Sequence, residues 1–326
     1  MPSLLPRPFP WLESLYFSTL RLSYRCRTHV TLNGFCGHDI RGGIGNNFKS
    51  YKNCYADKDK DCIKCPPSHK IGCLYNRLFK HGGNWRKPFA LRLDPVFHPM
   101  RTVQRKGDVF CLDLTLIGNA VGFTDDIVDA LRRKPLLLKG AEQGFDLISE
   151  EYVNYDGRIT PFDFGQQAPL MDLVTSYDID LTFPSPGVLE FISHTPSDIR
   201  GSHKHFIHDP HELTFKILMC RMVEKTRYLA EKYCDWQDIL NDDEKMMNRE
   251  AIDVTDAIEL LDCNAVWEAA KDRNKPKENR GGLVGGFRFE GRFENFVGLL
   301  DAAENMGLGK GCTSGFGQVS FHIYSQ

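Results

Sequence analysis

Residues 20–32 read Leu20-Arg21-Leu22-Ser23-Tyr24-Arg25-Cys26-Arg27-Thr28-His29-Val30-Thr31-Leu32. The even positions form a face of Leu, Tyr, Cys, Thr and Val, and the odd positions a face of Arg, Ser, His and Thr. Strict period two over this length predicts one long strand with a buried side and a wet side. Working outward, a short helix is expected over about residues 40–52, then a polar, cysteine-containing insertion over 53–74. Apolar alternation resumes at Phe89, Leu91 and Leu93, and again at Phe110, Leu112, Leu114 and Leu116. Residues 125–133 read as a helix and 144–152 as a strand, so the order is β-α-β-β-α-β, that of a ferredoxin-like half.

The run YDGRITPFDFGQQAP over 155–169 has no period and several breakers, which places a domain boundary there, with domains over 1–160 and 161–326. The second half repeats the theme. Leu173, Thr175, Tyr177, Ile179 and Leu181 share one face of a strand, and a helix of about two dozen residues follows from His211. Its positions Leu218, Met222, Leu229 and Tyr233 line up on one side. Phe296, Leu299, Leu300 and Ala303 mark a last helix that Gly307 ends, and Val319, Phe321 and Ile323 a final strand. The fold class is therefore α+β, built as two successive halves.

Composition excludes several classes. The 326 residues are 41% hydrophobic and 26% charged, ordinary values for a globular chain, and no run of apolar residues is long enough for a membrane span. The N-terminal MPSLLPRPFPWLESLYF carries early prolines, an Arg and an acid in place of an apolar signal core, so a cytoplasmic protein with no membrane partner is expected. A net charge of -2 offers no global attraction for polyanions, so any nucleic-acid surface must be local. Eleven cysteines without a secretion signal argue for thiols and a metal site over a disulfide framework.

Four features carry chemistry. Cys54, Cys62, Cys65 and Cys73 place four thiols within twenty residues around a central Cys-x2-Cys, a donor set that suits closed, structural Zn²⁺, with His69 and His81 as substitutes; unmetallated thiols and redox use are the alternatives. The run Gly307-Leu308-Gly309-Lys310-Gly311-Cys312-Thr313-Ser314-Gly315-Phe316-Gly317 holds five glycines in eleven residues. A dinucleotide or phosphate-binding loop must follow a strand and open a helix, and here the order is reversed. What remains is either a connection closing a sheet or a loop offering amides, Lys310, Thr313 and Ser314 to phosphates. His203, His205, His208 and His211 crowd one segment without a hydrolase pattern, whereas His38 enters the first helix within Phe35-Cys36-Gly37-His38-Asp39-Ile40-Arg41-Gly42-Gly43 and can act as a general base or acid, or merely cap the turn. Arg21, Arg25 and Arg27 on the wet face of the first strand either follow a phosphate chain or guard a sheet edge.

Together these pieces resemble the CRISPR repeat-RNA processing endoribonucleases of the RAMP superfamily, the sixth Cas protein family, and within it the cysteine-containing branch. Gly307-x-Gly309-x5-Gly315-x-Gly317 is similar to that family's C-terminal glycine-rich loop, and GGLVGGFRFEGRFENFVGLLDAAENMGLGKG to the strand and helix before it. Asp39 to Gly45, the four cysteines and Leu74-Tyr75-Asn76-Arg77-Leu78-Phe79 resemble its N-terminal helix and cysteine insertion. The resemblance implies tandem ferredoxin-like domains with the glycine-rich loop at their junction, and CRISPR repeat RNA (pre-crRNA or crRNA) as ligand. It implies cleavage without a catalytic cofactor, in which the 2′-OH attacks the scissile phosphate and protein groups move the protons. His38 is the first candidate for proton transfer, with Tyr51, Lys52 and His69 as others. Arg41, Lys310, Thr313, Ser314 and the backbone at Gly307, Gly309, Gly311, Gly315 and Gly317 are the candidate RNA contacts. The alternatives are a RAMP subunit that binds or caps crRNA without cutting, beside other Cas proteins in an effector complex, and a zinc-bearing interaction protein whose glycine loop is structural.

Overall fold

The computed structural model describes residues 8–33, 36–49, 51, 73–80, 87–94, 101–138, 144–153, 159–161, 178–187, 190–193, 203–237, 239–271, 279–293 and 295–324. The first half forms β1 (Phe17–Cys26), β2 (Val30–Asn33), α1 (Gly37–Lys49), β3 (Phe89–Leu93), β4 (Arg101–Gln104), β5 (Val109–Ile117), α2 (Thr124–Arg133), β6 (Phe145–Val153) and β7 (Ile159–Pro161). Five strands make an antiparallel sheet in the order β3-β5-β1-β6-β7, and β2 pairs with β4 apart from it. The sequence β1-α1-β3-β5-α2-β6, with β1 between β5 and β6, is the ferredoxin-like arrangement.

Alternation decides which face is covered. Leu20, Leu22, Tyr24 and Cys26 of β1 share one core with Ile40, Ile44 and Phe48 of α1 and with Ile127, Val128 and Leu131 of α2. Tyr24 stacks on its register partner Phe110 at 5.6 Å, and Phe110 meets Phe145 of β6 edge-on at 5.1 Å. The stretch read as one strand to Leu32 is in fact two. β5 begins at Val109, opposite Arg25, so the ladder runs out; the Cys26 thiol donates to the Thr28 carbonyl at 2.7 Å as the chain turns. Val30 and Leu32 keep their buried phase by joining β4 instead. α1 begins three residues before the expected start and ends at Lys49. Its glycines are contact points: a Cβ on Gly43 would stand 2.7 Å from Leu136 Cδ1 and Leu137 O, and one on Gly45 3.0 Å from the Phe79 ring.

The second half forms β8 (Asp178–Gly187), β9 (Glu190–Ser193), β10 (His203–Phe206), α3 (Phe215–Tyr233), α4 (Asp242–Val254), β11 (Glu259–Cys263), β12 (Val266–Lys271), β13 (Asn279–Glu290), α5 (Val297–Met306) and β14 (Ser320–Tyr324). The antiparallel sheet runs β11-β13-β8-β14, with β12 continuing along the same edge of β13 and β9 pairing with β10 separately. The order β8-α3-β11-β13-α5-β14 repeats the first half. Of the strand expected over 173–181, β8 covers the end and continues to Gly187, while residues 171–177 lie outside the described residues. α3 starts at Phe215, where the Thr214 hydroxyl accepts from Ile217 N at 3.2 Å, after a 3-10 turn at Pro210–Glu212. α4 has no counterpart in the sequence reading, although Asn241 and Glu244 form a reciprocal capping box at 2.8 and 2.9 Å.

A second core gathers Leu218, Met222 and Leu229 of α3, Phe287 and Phe289 of β13 and Leu299, Leu300 and Ala303 of α5. Phe9, Trp11, Leu15 and Phe17 belong to it as well, although they open the chain. Trp11 Nε1 donates to the buried Thr226 hydroxyl at 2.9 Å, and that hydroxyl donates to Met222 O at 2.7 Å. No described helix is long and apolar enough to cross a membrane. Lys52, Cys54, Cys62, Cys65, His69 and His81 lie outside the described residues, as does most of 155–169.

Candidate functional site

The glycine-rich loop leaves α5 at Gly307, and all five of its glycines have positive φ, from +65° to +82°. Leu308 N donates to Gly317 O at 2.8 Å and pinches the two ends together. Gly317 has φ +65°, and a Cβ there would stand 1.8 Å from Leu308 O, so no side chain is tolerated at the pinch. Inside the loop a 3-10 turn over Cys312–Ser314 uses three amides internally: Ser314 N to Gly311 O at 2.7 Å, Gly315 N to Cys312 O at 3.1 Å and Phe316 N to Gly311 O at 3.3 Å. Ser314 and Phe316 are buried, while Lys310 and Thr313 are half-buried and reach the surface.

The loop belongs to the second half by chain order and touches the first half by contact. A Cβ on Gly315 would lie 2.4 Å from Leu93 Cγ, so β3 abuts the loop's backbone there. Gln318 Nε2 donates to Leu93 O at 3.4 Å beside it. From α1 comes His38, in the first helical turn, whose ring centroid lies 5.5 Å from that of Phe316 at an interplanar angle of 46°. Some 278 residues separate this pair along the chain, and the two halves bring it together.

Arg41 follows His38 by one helical turn. Its guanidinium lies over the Phe79 ring, 5.1 Å from the centroid, and its buried Nε has no hydrogen-bond partner among the described residues. Burial pulls its pKa below the ordinary arginine value, against a smaller opposite effect of Tyr75. A largely buried guanidinium remains charged at neutral pH, and no carboxylate among the described residues pairs with it; the arrangement suits an anionic ligand. Phe79 sits in a π-helical segment, Asn76–Lys80, and stacks on Tyr75 at 5.3 Å. Lys49 Nζ lies 4.6 Å from the Tyr75 ring centroid, so one face of α1 carries two aromatic rings between two cations.

Other candidates are placed elsewhere. Tyr51, just beyond the far end of α1, is buried and donates to Asp126 Oδ1 at 2.9 Å and Asp129 Oδ2 at 3.3 Å of α2, with Arg133 over its ring. Arg21 makes a bidentate pair with Asp113 at 2.7 and 2.9 Å, and Arg27 pairs with Asp146. Across the sheet Arg92, Asp113, Arg21 and Glu151 are in register, a row of alternating charge. The wet face of β1 is thus largely neutralised by its neighbours and offers Arg25 rather than a run of three arginines to a phosphate chain. Cys73 precedes Leu74, Leu78 and Phe79, which anchor the end of the cysteine-containing insertion into the first core. Among the described residues no group of three metal-ligating side chains converges.

Sequence reasoning missed Lys225. On α3 its Nζ donates to Met306 O and Gly307 O, both at 2.7 Å, at the root of the loop. The signal available was a lysine at the i+3 position from Met222 and four before Leu229, on an otherwise apolar stripe.

Comparisons with known proteins follow the same division. Residues 181–319 match the family model described as CRISPR-associated endoribonuclease Cas6, and residues 14–157 match one described as an N-terminal domain. No curated protein matches the chain by sequence. Among solved structures, a Cas6 product complex superposes with a TM-score of 0.59 at 14% identity, covering 94% of this chain and 100% of that one. A partial Cas6-RT-Cas1–Cas2 complex gives 0.57 at 13% identity over 95% of this chain and 46% of that one. A RAMP protein binding different RNA substrates gives 0.50 at 13% identity over 94% and 99%. At such identities the structures establish the shared fold, the tandem ferredoxin-like arrangement seen above. With the family model on residues 181–319 and that fold over nearly its whole length, this chain is similar to the Cas6 family in its C-terminal half and shares the Cas6 fold throughout.

Proposed function

We propose that this protein is an endoribonuclease that cuts CRISPR repeat RNA within the repeat, without a metal cofactor in the chemistry. The observation that carries this reading is the His38 imidazole set 5.5 Å from Phe316, so that a side chain able to take or give a proton adjoins a loop built from glycine backbone. In-line attack of the 2′-OH on the adjacent phosphorus forms the new O–P bond as the bond to the 5′-oxygen breaks. His38 takes the 2′-OH proton or delivers one to the departing 5′-oxygen. Arg41 and Lys310, with Thr313 and the loop backbone, hold the phosphate and offset the charge that grows on its oxygens. The products are a 2′,3′-cyclic phosphate and a 5′-hydroxyl. Lys52 and His69 are the candidates for the second proton transfer. Other Cas proteins in a cytoplasmic effector complex are the proposed partners once the RNA is cut.

The second reading, a subunit that holds crRNA without cutting it, is favoured by Arg41, a largely buried cation that pairs with no carboxylate among the described residues and would serve phosphate binding with or without catalysis. The decisive experiment incubates the protein in EDTA with RNA carrying the repeat encoded nearest its gene, and maps the product ends. A single cut with a 5′-hydroxyl, abolished by a 2′-deoxy nucleotide at the cut and slowed about 10²–10⁴-fold in His38→Ala, is expected. Loss of cutting in EDTA with restoration by Mg²⁺ would overturn the mechanism. Tight, salt-dependent binding without a cut would transfer the assignment to the crRNA-holding subunit. Apart from catalysis, we infer that Cys54, Cys62, Cys65 and Cys73 hold a structural Zn²⁺, because four thiolates match its tetrahedral preference and Cys73 leads directly into the Leu74–Leu78–Phe79 anchor.

A further inference from the structure

The glycine-rich loop is gripped from behind by a residue of neither the loop nor α1. Lys225 lies at mid-length in α3, half-buried. Its Nζ donates to Met306 O and Gly307 O at 2.7 Å each, and its third contact is Cys312 Sγ at 3.4 Å. An ammonium has three donors and no acceptor, so all three are engaged by the loop and its root. α5 has no basic residue in its own last turn, so Lys225 is also the cation that meets the negative pole of that helix. Cys312 passes the contact on, its thiol donating to Gly309 O at 3.3 Å. Towards its other end the loop rests on Leu93 through Gly315 and Gln318. Lys225 and Leu93 therefore hold the loop from two elements of different halves.

The geometry points to Lys225 as a positioning residue: it fixes the stretch from Met306 to Cys312 in the shape in which the loop receives RNA phosphates. This rests on the RNA-binding reading above. Lys225 acts through the loop, since its donors are occupied. A lysine on an apolar helix stripe is a costly residue for packing alone, where Met or Leu would fill the same space.

The test compares wild type, Lys225→Met and Lys225→Arg by hydrogen–deuterium exchange in the RNA-free protein, and by repeat-RNA affinity and single-turnover cleavage. Met keeps the unbranched length and loses the charge; Arg keeps the charge. In Lys225→Met, exchange of the amides at 307–317 should rise about tenfold while α2 keeps its protection, and the RNA Kd should rise about tenfold, as expected for losing charged hydrogen bonds. The rate at saturating RNA should fall less than the affinity, and Lys225→Arg should recover part of both losses. Unchanged loop exchange in Lys225→Met overturns the clamp, as does loss of protection in α2 together with the loop, which marks general unfolding. Faster loop exchange with unchanged affinity overturns its role in RNA binding. If wild type itself retains no RNA at low salt, the functional reading fails instead, and the exchange data alone decide the clamp.

Discussion

His38 and Tyr51 lie thirteen residues apart on, and just beyond, one helix, which at about 1.5 Å per residue sets them roughly 20 Å apart. One proton-transfer centre cannot use both. His38 faces the glycine-rich loop, whereas Tyr51 donates to two carboxylates of α2 and lies under Arg133, the environment of a tyrosine that ties two helices together. Tyr51→Phe should therefore cost about 1.5–3 kcal/mol of stability, the worth of a hydrogen bond to charged acceptors, measured by urea denaturation. RNA cleavage by the folded variant should stay within about twofold of wild type; a loss as large as that of His38→Ala would return Tyr51 to the chemistry. The sequence made His38 legible through its place at a helix entry, but the nearness to Phe316 depends on how two halves dock. Arg41 was legible as a cation, while its burial against the Phe79 ring was not, because Phe79 comes from a different segment.

At the scale of elements, strict periodicity made most strands and helices readable. Phe89 to Leu93, Val109 to Ile117 and the stripe Leu218, Met222, Leu229 fall where alternation or helical spacing put them. Two features escaped for different physical reasons. Alternation continues unbroken across residues 20–32, yet the hydrogen-bonding partner ends at Val109, and a side-chain pattern carries no information about where a neighbouring strand stops. α4 is mostly exposed, so it lacks the apolar stripe on which helices are recognised, and only its Asn241–Glu244 cap announces it. Under the zinc reading, the four cysteines add a metal cross-link to the first half. Replacing Cys62 and Cys65 together by Ser should remove zinc measured by elemental analysis of protein purified without added metal, and lower the thermal midpoint of the first half. Wild-type protein that contains no zinc would reduce the four cysteines to a thiol cluster.

For the molecule as a whole, the two ferredoxin-like halves are less separate than their order along the chain suggests. The loop of the second half rests on Leu93 and Phe316 on His38, while the opening residues of the first half enter the second core. Phe9 packs on Phe296 at 6.1 Å, Trp11 meets Trp236 edge-on at 6.0 Å, and the Trp11 indole donates to Thr226. A chain that leaves this staple and runs straight into β1, the central strand of the first sheet, couples the second core to the scaffold that carries α1. The candidate site draws residues from both halves, so the staple should influence it without touching it. Trp11→Ala should cost about 3–5 kcal/mol, the range for truncating a fully buried large aromatic. Trp11→Phe should cost less, since an aromatic ring stays in the core and Thr226 still donates to Met222 O, while the indole donor and part of the buried volume are lost. Denaturation followed by near-ultraviolet circular dichroism would measure both. If Trp11→Ala costs under about 1 kcal/mol, the opening segment is a surface appendage and the coupling between the halves rests on the loop alone. If it costs the full amount and also weakens RNA binding in the still-folded population, the geometry between His38 and the glycine-rich loop depends on a tryptophan in the opposite core.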